Sequence, residues 1–400
     1  MNDRISTFLQ TRIHASDFPS VVYLVAEKGE IVLQDALGFA VVEPERITAR
    51  VDTIYDLASL TKVLVTGLLC AKLVEKTSLE LGDNIRRFFG NKVSLQFPEV
   101  ILRDLATHTS GYLAWKPFYL LPNSPPFDTE DYGVASESND LIKKFVLDEI
   151  LRTSLQSGKD VIYSDLNFLL IGFLIEEMYV WDMHNIAWEE IFMRLQLQRT
   201  AFGGTGTLKY ETAASEKGNK FEKQMCVEKG YLQPPAIPTR RDSDPIRTPQ
   251  SAFRNQIIWG EVHDQNAYFM GGVAGHAGLF STAEETFKIA QQFLPNYTTL
   301  LKPETCELFR TNFTPGMNEH RSFAFQLATT PDSTAGTKMS PESFGHNGFT
   351  GTSLWIDPVK ERVFILLTNR THDHALPFAN INSVRRKFHD LAIEHLERNS

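Results

Sequence analysis

A serine and a lysine three residues apart are the two side chains of this sequence best suited to chemistry. Ser59 and Lys62 open an apolar run that continues through residues 63–71. On a helix, residues with this spacing are neighbours about 5–6 Å apart at Cβ, so the amine can reach the hydroxyl. A serine hydroxyl is a weak nucleophile that needs a base beside it. Unpaired N–H groups at the helix start also favour negative charge. The pair therefore predicts a nucleophilic serine.

A tyrosine forms the second candidate element. Tyr163-Ser164-Asp165 comes directly before an apolar helical run over residues 166–175. A tyrosine at a helix entrance, held near a lysine ammonium, can lose its proton well below its usual pKa of about 10. It could then relay a proton between the serine and a leaving group. The alternative is an ordinary packing tyrosine followed by an aspartate that caps the helix.

A glycine-containing strand forms the third element. In His346-Asn347-Gly348, the glycine would let a substrate backbone lie close against a strand that borders a cleft. The backbone N–H of Phe349 could then join that of Ser59 as an oxyanion hole. A glycine-rich strand and turn without catalytic function is the alternative.

Other polar residues are weaker candidates. His263 and Asp264 precede a glycine-rich stretch that contains His276, and all three are candidate substrate-binding residues. Hydrogen bonding within loops explains them equally well. The sequence His-Asp-His at residues 372–374 could bind a metal ion, but a polar loop explains it more simply. We therefore predict no metal ion and no cofactor.

The hydrophobic pattern predicts strands near both ends of the chain and helices between them. The predicted strands are 21–26, 31–40, 323–327, 343–348, 351–357 and 362–368, and the predicted helices are 2–14, 59–76, 101–107, 137–156, 164–180 and 384–396. Residues 113–135 and 203–256 have no clear period and are predicted to be long loops, which in a compact protein are usually functional or mobile.

This distribution predicts an α+β fold. The two β-rich ends would pair into one antiparallel sheet, with terminal helices on one face and an inserted helical region on the other. We expect residues 1–58 and 320–400 to form an α/β sandwich domain. Residues 59–319 would form a mostly helical inserted domain with long loops.

Composition limits the partners. The 400 residues carry a net charge of −9, which disfavours nucleic acid because phosphate binding needs a basic face. No window has the 18–20 apolar residues that span a bilayer, and residues 1–10 lack the apolar core of a signal peptide. We expect a cytoplasmic protein, or a periplasmic one if a leader precedes this sequence.

Three widely spaced cysteines suggest neither a disulfide framework nor a zinc site. The oligomeric state stays open.

The three elements, in this order along the chain, resemble the motifs of a known hydrolase family. Ser59-x-x-Lys62, Tyr163-Ser164-Asp165 and His346-Asn347-Gly348 resemble the three motifs of the serine β-lactamase and penicillin-binding-protein-like hydrolases. The similarity is greatest to the branch with class C β-lactamases, D,D-peptidases, D-aminopeptidases and esterases. Residues 105–111 and 272–283 also resemble stretches of that branch, and the resemblance covers roughly residues 15–395. It implies the β-lactamase/transpeptidase-like fold.

The resemblance also implies a role for each motif residue. Ser59 would be the acylated nucleophile and Lys62 its proton acceptor. Tyr163 would be the partner general base and acid, and His346 would contact the substrate and polarise Tyr163. The N–H groups of Ser59 and Phe349 would form the oxyanion hole.

Two positions depart from the family pattern, and two more belong to the implied substrate site. Asp165 stands where the family commonly has asparagine; an ionised carboxylate only accepts hydrogen bonds, so a substrate ammonium would suit it better. His346 stands where lysine is frequent, and a neutral histidine would recognise a free substrate carboxylate weakly or in a pH-dependent way. The resemblance implies that Asn347 and Gly348 contact the substrate as well.

The predicted function is that of a serine hydrolase working through an acyl-enzyme on an amide or ester bond. The favoured substrates are small molecules derived from peptidoglycan, namely peptide-like cell-wall fragments, as for a D,D-peptidase, an aminopeptidase or a muropeptide amidase. A carboxylesterase or a weak β-lactamase could use the same residues. A non-catalytic penicillin-binding sensor or binding module is the alternative from another class.

Overall fold

The fold is built around one antiparallel sheet whose strands come from the two ends of the chain. The computed structural model describes residues 3–89, 99–125, 137–158, 160–232 and 253–399. The seven strands of this sheet are ordered β3-β2-β1-β10-β9-β8-β7. The strand bounds are β1 Ser20–Glu27, β2 Glu30–Val41, β3 Ile47–Thr48, β4 Tyr55–Asp56, β5 Ala201–Phe202, β6 Leu279–Ser281, β7 Gln326–Leu327, β8 Phe344–Asn347, β9 Ser353–Asp357 and β10 Arg362–Thr368.

The centre of the sheet joins the first strand of the chain to the last. β1 pairs with β10 from Val21 opposite Thr368 to Glu27 opposite Arg362, and every residue of β10 is buried. Both strands are rich in valine, leucine and isoleucine, which pack well on a pleated surface covered on both sides. The predicted antiparallel sheet of terminal strands is confirmed.

Helices cover both faces of the sheet. The helix bounds are α1 Asp3–His14, α2 Leu68–Glu75, α3 Arg86–Phe89, α4 Leu102–Ala106, α5 Glu137–Leu151, α6 Asp165–Tyr179, α7 Met183–Ala187, α8 Lys220–Glu228, α9 Gln265–Phe269, α10 Ala283–Ala290 and α11 Asn382–Asn399. The terminal helices α1 and α11 bury Ile5, Leu9 and Phe388 against one face, beside Tyr23 and Trp355 of the sheet. The larger core, on the other face, contains apolar residues of α2, α6 and α10.

The prediction of a loop over residues 203–256 is wrong where the structure describes that range. α8 lies within it, and among its residues only Glu222 and Cys226 are buried. A helix that buries so few apolar residues lacks the 3.6-residue hydrophobic period that sequence reasoning detects. A small second sheet, ordered β4-β6-β5, was also missed, because strands of two or three residues are too short to show alternation.

Other predicted boundaries hold in part. The strand predicted over 323–327 is limited to β7, and the described part of the loop predicted over 113–135 contains a single 3₁₀ turn, Phe118–Leu120. Residues 126–135 lie outside the described residues. The division into a sandwich domain and an inserted domain stays a prediction. Among the described residues, no helix has the length and hydropathy needed to cross a bilayer.

Candidate active site

The predicted nucleophile stands on a sharp turn after β4. Ala58 has φ of +48°, a left-handed conformation that costs energy in any residue other than glycine. Two hydrogen bonds hold the turn: the buried Asp56 carboxylate accepts from the Ala58 N–H at 2.8 Å, and the Thr61 hydroxyl donates to the Ala58 carbonyl at 2.6 Å. The turn places Ser59 outside the helix that follows.

That helix is not the regular α-helix predicted over 59–76. Residues Lys62–Gly67 form a π-helical turn, and α-helical geometry resumes in α2. π turns are rare and occur frequently at functional sites. Here the turn is fixed by the Thr66 hydroxyl, which donates to the carbonyl of Gly275 at 2.6 Å. A stretch more than 200 residues away in sequence is thereby fastened to the first motif.

Lys62 uses all three of its ammonium protons. Its Nζ lies 2.9 Å from Ser59 Oγ, 3.0 Å from the carbonyl oxygen of His276 and 2.7 Å from Asp165 Oδ1. The lysine side chain is fully buried, whereas that of Asp165 is 18% exposed. Since a buried charge requires a partner, Asp165 is the counter-charge that lets a lysine lie at the head of this helix.

The same contacts set the charge state of the lysine. Burial by itself would lower the pKa of Lys62, but the Asp165 carboxylate and the Tyr163 phenol outweigh burial, and the pKa is raised above its usual value. Lys62 is therefore an ammonium in the resting enzyme. It donates to the Ser59 hydroxyl and must lose a proton before it can act as a base.

Tyr163 lies on the other side of Lys62, with the lysine Nζ 5.1 Å from the ring centroid. Its hydroxyl oxygen is covered and makes no hydrogen bond of regular geometry among the described residues, and the side chains of Lys62 and Ser59 are the polar groups that face it. Burial raises the pKa of Tyr163, and the opposing effect of Lys62 does not compensate. The expectation of a lowered phenol pKa is therefore wrong, because the hydroxyl is desolvated and Asp165 lies nearby.

His108 positions this tyrosine, a role that sequence reasoning missed. Its ring packs on Tyr163 with centroids 4.6 Å apart, and its Nδ1 accepts the Ser164 N–H at 3.1 Å. The N–H of Asp165 donates to the Ala114 carbonyl at 2.9 Å, so the whole second motif is fastened to residues 108–114. The resemblance of residues 105–111 to the family could have pointed to His108. These residues carry no catalytic side-chain pattern of their own, so the role was not predicted.

His346 of β8 lies beside Tyr163, with ring centroids 5.7 Å apart. Its Nδ1 is 2.9 Å from the carbonyl oxygen of Asn347, which can only accept, so Nδ1 carries the proton and Nε2 is an acceptor. Burial lowers the pKa of His346 well below its usual value, and the charges of Lys62 and Arg321 lower it further. The imidazole is neutral at pH 7.

The residues after β8 fold against the nucleophile turn. The hydroxyls of Thr350 and Thr352 donate to the carbonyls of Asp56 and Leu57 at 2.7 and 3.0 Å. A Cβ on Gly348 would lie 2.6 Å from the Leu57 carbonyl oxygen, which explains the glycine. The backbone N–H groups of Ser59 and Phe349 make no hydrogen bond to any residue that the structure describes. They are available as an oxyanion hole.

Two predicted substrate contacts are placed differently from expectation. The side chain of Asn347 accepts a hydrogen bond from Thr334 Oγ1 at 3.1 Å, on the sheet face that carries Trp355. Successive residues of a strand point to opposite faces, so His346 and Asn347 cannot both face the cleft. Asp165 already forms an ion pair with the Lys62 ammonium. Only the exposed part of its carboxylate remains for the predicted substrate contact.

The three weaker candidates lie beside the site. His276 is 1% exposed and contacts Asp264 Oδ1 through Nε2 at 2.9 Å. Burial would raise the pKa of Asp264, but His276 reverses the effect and the pKa is lowered. His263 lies behind Phe349, with its ring stacked on that residue at 5.4 Å and its Nε2 2.9 Å from Glu216. Any substrate contact of these residues stays a prediction.

Two arrangements could suggest a metal ion. Ligand atoms of Asp165, Asp264 and His276 lie within 4.8 Å of one another. The Lys62 ammonium lies against Asp165 in this cluster, so the carboxylates already balance a positive charge. The ring nitrogens of His372 bind the Val42 N–H and the Ser215 carbonyl, which assigns this histidine to loop structure.

A serine beside a buried lysine, a tyrosine hydroxyl that faces both, and two N–H groups without a partner among the described residues define a serine hydrolase of the S-x-x-K class. The comparison with known families agrees. A family model described as Beta-lactamase matches residues 5–385, and the chain belongs to the beta-lactamase family. The predicted family and the predicted β-lactamase/transpeptidase-like fold are confirmed.

Relatives extend over most of the chain. A protein of Escherichia coli (strain K12) with the name "Putative D-alanyl-D-alanine carboxypeptidase" is 29% identical over 377 residues, covering 89% of this chain and 79% of its own. The hydrolase EstCE1, with promiscuous acyltransferase activity, superposes with a TM-score of 0.66 at 18% identity, covering 98% of this chain and 97% of its own. A class C beta lactamase from Rhodobacter sphaeroides superposes with a TM-score of 0.65 at 15% identity, with coverage of 98% and 99%. These structures share the fold.

The Lys62–Asp165 pair predicts how the pH dependence of kcat/KM changes when Asp165 is replaced. Asp165→Asn removes the charge that raises the lysine pKa. If neutral Lys62 is the base, kcat/KM rises with pH through the lysine pKa, so the variant's profile is expected to move to lower pH by about one unit or more. The measurement is kcat/KM for a neutral ester between pH 6 and 10, with the surface variant Asp148→Asn as control. An unshifted profile in Asp165→Asn would contradict this assignment.

Proposed function

We propose that this protein hydrolyses an amide or ester bond through an acyl-enzyme on Ser59, with peptide-like cell-wall fragments as the favoured substrate class. The observation that carries the proposal is the 2.9 Å contact between Lys62 Nζ and Ser59 Oγ, beside two N–H groups that have no partner in the described part of the chain. The substrate class is supported by relatives that carry the name "Putative D-alanyl-D-alanine carboxypeptidase".

The proposed reaction begins when a substrate carbonyl enters between the N–H groups of Ser59 and Phe349. Negative charge that develops on the carbonyl oxygen is stabilised by these groups, an effect of about 3–4 kcal/mol for one donor in comparable sites. In the reactive form Lys62 has released one proton to solvent, and its neutral amine takes the proton of Ser59 as the Ser59 Oγ–carbon bond forms. The leaving group then needs a proton, and Tyr163 offers a neutral phenol that faces Ser59 and Lys62.

Deacylation reverses the roles. Water attacks the ester carbonyl of the acyl-enzyme and gives a proton to the phenolate of Tyr163. As the Ser59 Oγ–carbon bond breaks, Ser59 Oγ takes a proton from the Lys62 ammonium, which returns Lys62 to its reactive neutral form. His346 supports Tyr163 through its neutral imidazole, whose Nε2 can accept a hydrogen bond. Asp165 keeps Lys62 in place in every step.

The neutral imidazole of His346 favours a second candidate, the carboxylesterase. A free carboxylate beside the scissile bond would gain no ion pair from His346 at pH 7. An ester, or a peptide without a free terminal carboxylate, needs no such partner. A matched pair of acyl-D-Ala-D-Ala peptides, one with a free carboxylate and one amidated, separates these substrate classes directly.

The test of the function is covalent labelling. We expect a fluorophosphonate or a β-lactam to add one acyl or phosphonyl mass to the wild type in intact-mass spectrometry, and to add none to Ser59→Ala. Turnover is then measured with p-nitrophenyl esters, nitrocefin, D-amino-acid amides and muropeptides. A folded wild type that gains no adduct from any of these probes would overturn the proposal in favour of a binding module.

A further inference from the structure

Three phenylalanine rings lie together beside the proposed oxyanion hole, and the mechanism above does not use them. Phe221 at the start of α8 contacts Phe349 with centroids 4.7 Å apart, and Phe378 lies 6.0 and 6.1 Å from Phe221 and Phe349. None of the three is fully buried. We refer to Phe221, Phe349 and Phe378 as the phenylalanine wall.

The wall is anchored to the reaction centre through its middle member. Phe349 carries the candidate oxyanion N–H, and the loop that holds it is fastened to the nucleophile turn by Thr350 and Thr352. Behind it, the His263 ring stacks on Phe349 at 5.4 Å, and Arg370 both lies 5.1 Å over the ring and donates to the Phe349 carbonyl. The part of these half-buried rings that remains open, on a loop fastened to the nucleophile turn, is available to a bound substrate.

α8 holds its part of the wall rigidly. The Glu216 carboxylate accepts the Phe221 N–H at 2.8 Å and also contacts His263. The next residue, Glu222, is buried and accepts hydrogen bonds from the Tyr119 hydroxyl and the Gln265 N–H. These contacts position Phe221 before any substrate arrives, so little conformational entropy is lost when a ligand packs on it.

The wall and the proton donor have separate surroundings. Tyr163 is packed by His108, His346 and Arg321, whereas among the described residues the ring contacts of the wall outside itself are with His263 and Arg370. A leaving group must depart toward Tyr163, because it receives its proton there. The acyl part of the substrate, on the opposite side of the scissile bond, is therefore the part that meets the wall.

Resting on the function proposed above, we propose that the phenylalanine wall is an acyl-binding subsite that selects acyl donors with an apolar or aromatic substituent. A phenyl or alkyl group packed on three rings would remove apolar surface from water, and aromatic pairs gain further from edge and offset contacts. The selection acts on the acyl group and is independent of the leaving group.

The experiment uses two esters with one leaving group, p-nitrophenyl acetate and p-nitrophenyl phenylacetate. We expect the ratio of kcat/KM for phenylacetate over acetate to fall about tenfold in Phe221→Ala relative to wild type, as for the loss of a small apolar contact in a pocket. Phe221→Leu should retain part of the ratio. Phe378→Ala should also lower the ratio, and it replaces Phe221→Ala as the test variant if Phe221→Ala does not fold.

The matched control is Trp188→Ala. This tryptophan is 47% exposed and makes no ring contact with the wall, so the ratio is expected to stay at the wild-type value. If wall variants lose activity equally toward both esters, the rings only position Phe349 and the subsite is overturned. If the wild type turns over neither ester and Ser59 gains no adduct, the hydrolase function itself is wrong. The two failures are therefore distinguishable.

Discussion

Lys62→Met is expected to lower kcat/KM for an ester substrate by about 10³-fold or more, because the serine loses the only amine within reach of its hydroxyl in the described site. Methionine keeps most of the side-chain volume, so the loss reports the amine rather than a cavity. The measurement is the rate of acylation of Ser59, followed by the release of p-nitrophenol and by intact mass.

The same substitution is expected to destabilise the fold. It leaves the Asp165 carboxylate without the ammonium 2.7 Å away, and breaking a buried pair typically costs about 3–5 kcal/mol. Because Asp165 keeps some solvent exposure, we expect the lower end, about 3 kcal/mol, in the free energy of unfolding measured with urea.

The double variant Lys62→Met/Asp165→Asn separates the two effects. It removes both charges together, so most of the lost stability should return while turnover stays absent. Wild-type acylation by Lys62→Met would contradict the assignment of the base. A double variant no more stable than the single one would contradict the role of Asp165 as counter-charge.

Gly348→Ala is expected to lower kcat by about 10²-fold or more. The added Cβ would overlap Thr352 Oγ1 and lie 2.6 Å from the Leu57 carbonyl oxygen, so the strand must move away from the nucleophile turn. That movement takes the Phe349 N–H away from its position beside Ser59, and losing one oxyanion donor typically costs 10²–10³ in kcat. The rate is measured by stopped-flow acylation at saturating ester.

Gly82→Ala is the matched control for this substitution, since a Cβ at Gly82 has open space and no neighbour within 4 Å. Its kcat should equal that of the wild type. Circular dichroism of Gly348→Ala should show a folded protein, because the change affects one strand end. Full activity in a folded Gly348→Ala would show that the Phe349 N–H does not stabilise the transition state.

The class of this protein could be predicted from its residues alone. Ser59 and Lys62 are three residues apart, and this short spacing keeps the two side chains within reach of each other in the turn before the π-helical residues, as it would on a regular helix. The strands β1 and β10 could be read from their valine- and leucine-rich runs, and the order of three motifs indicated the family. The motif spacing and the strand pattern can be read from neighbouring residues, because neither depends on contacts between distant segments.

The charge states and the directions of the site's side chains depend on the three-dimensional fold. Asp165, more than 100 residues away from Lys62 in sequence, makes the lysine an ammonium, and burial gives Tyr163 a raised pKa where a lowered one was expected. The register of β8 turned Asn347 away from the cleft, and packing of α8 brought Phe221 against Phe349. Desolvation and contacts between distant segments set these properties, and neither is encoded in the local pattern of residues.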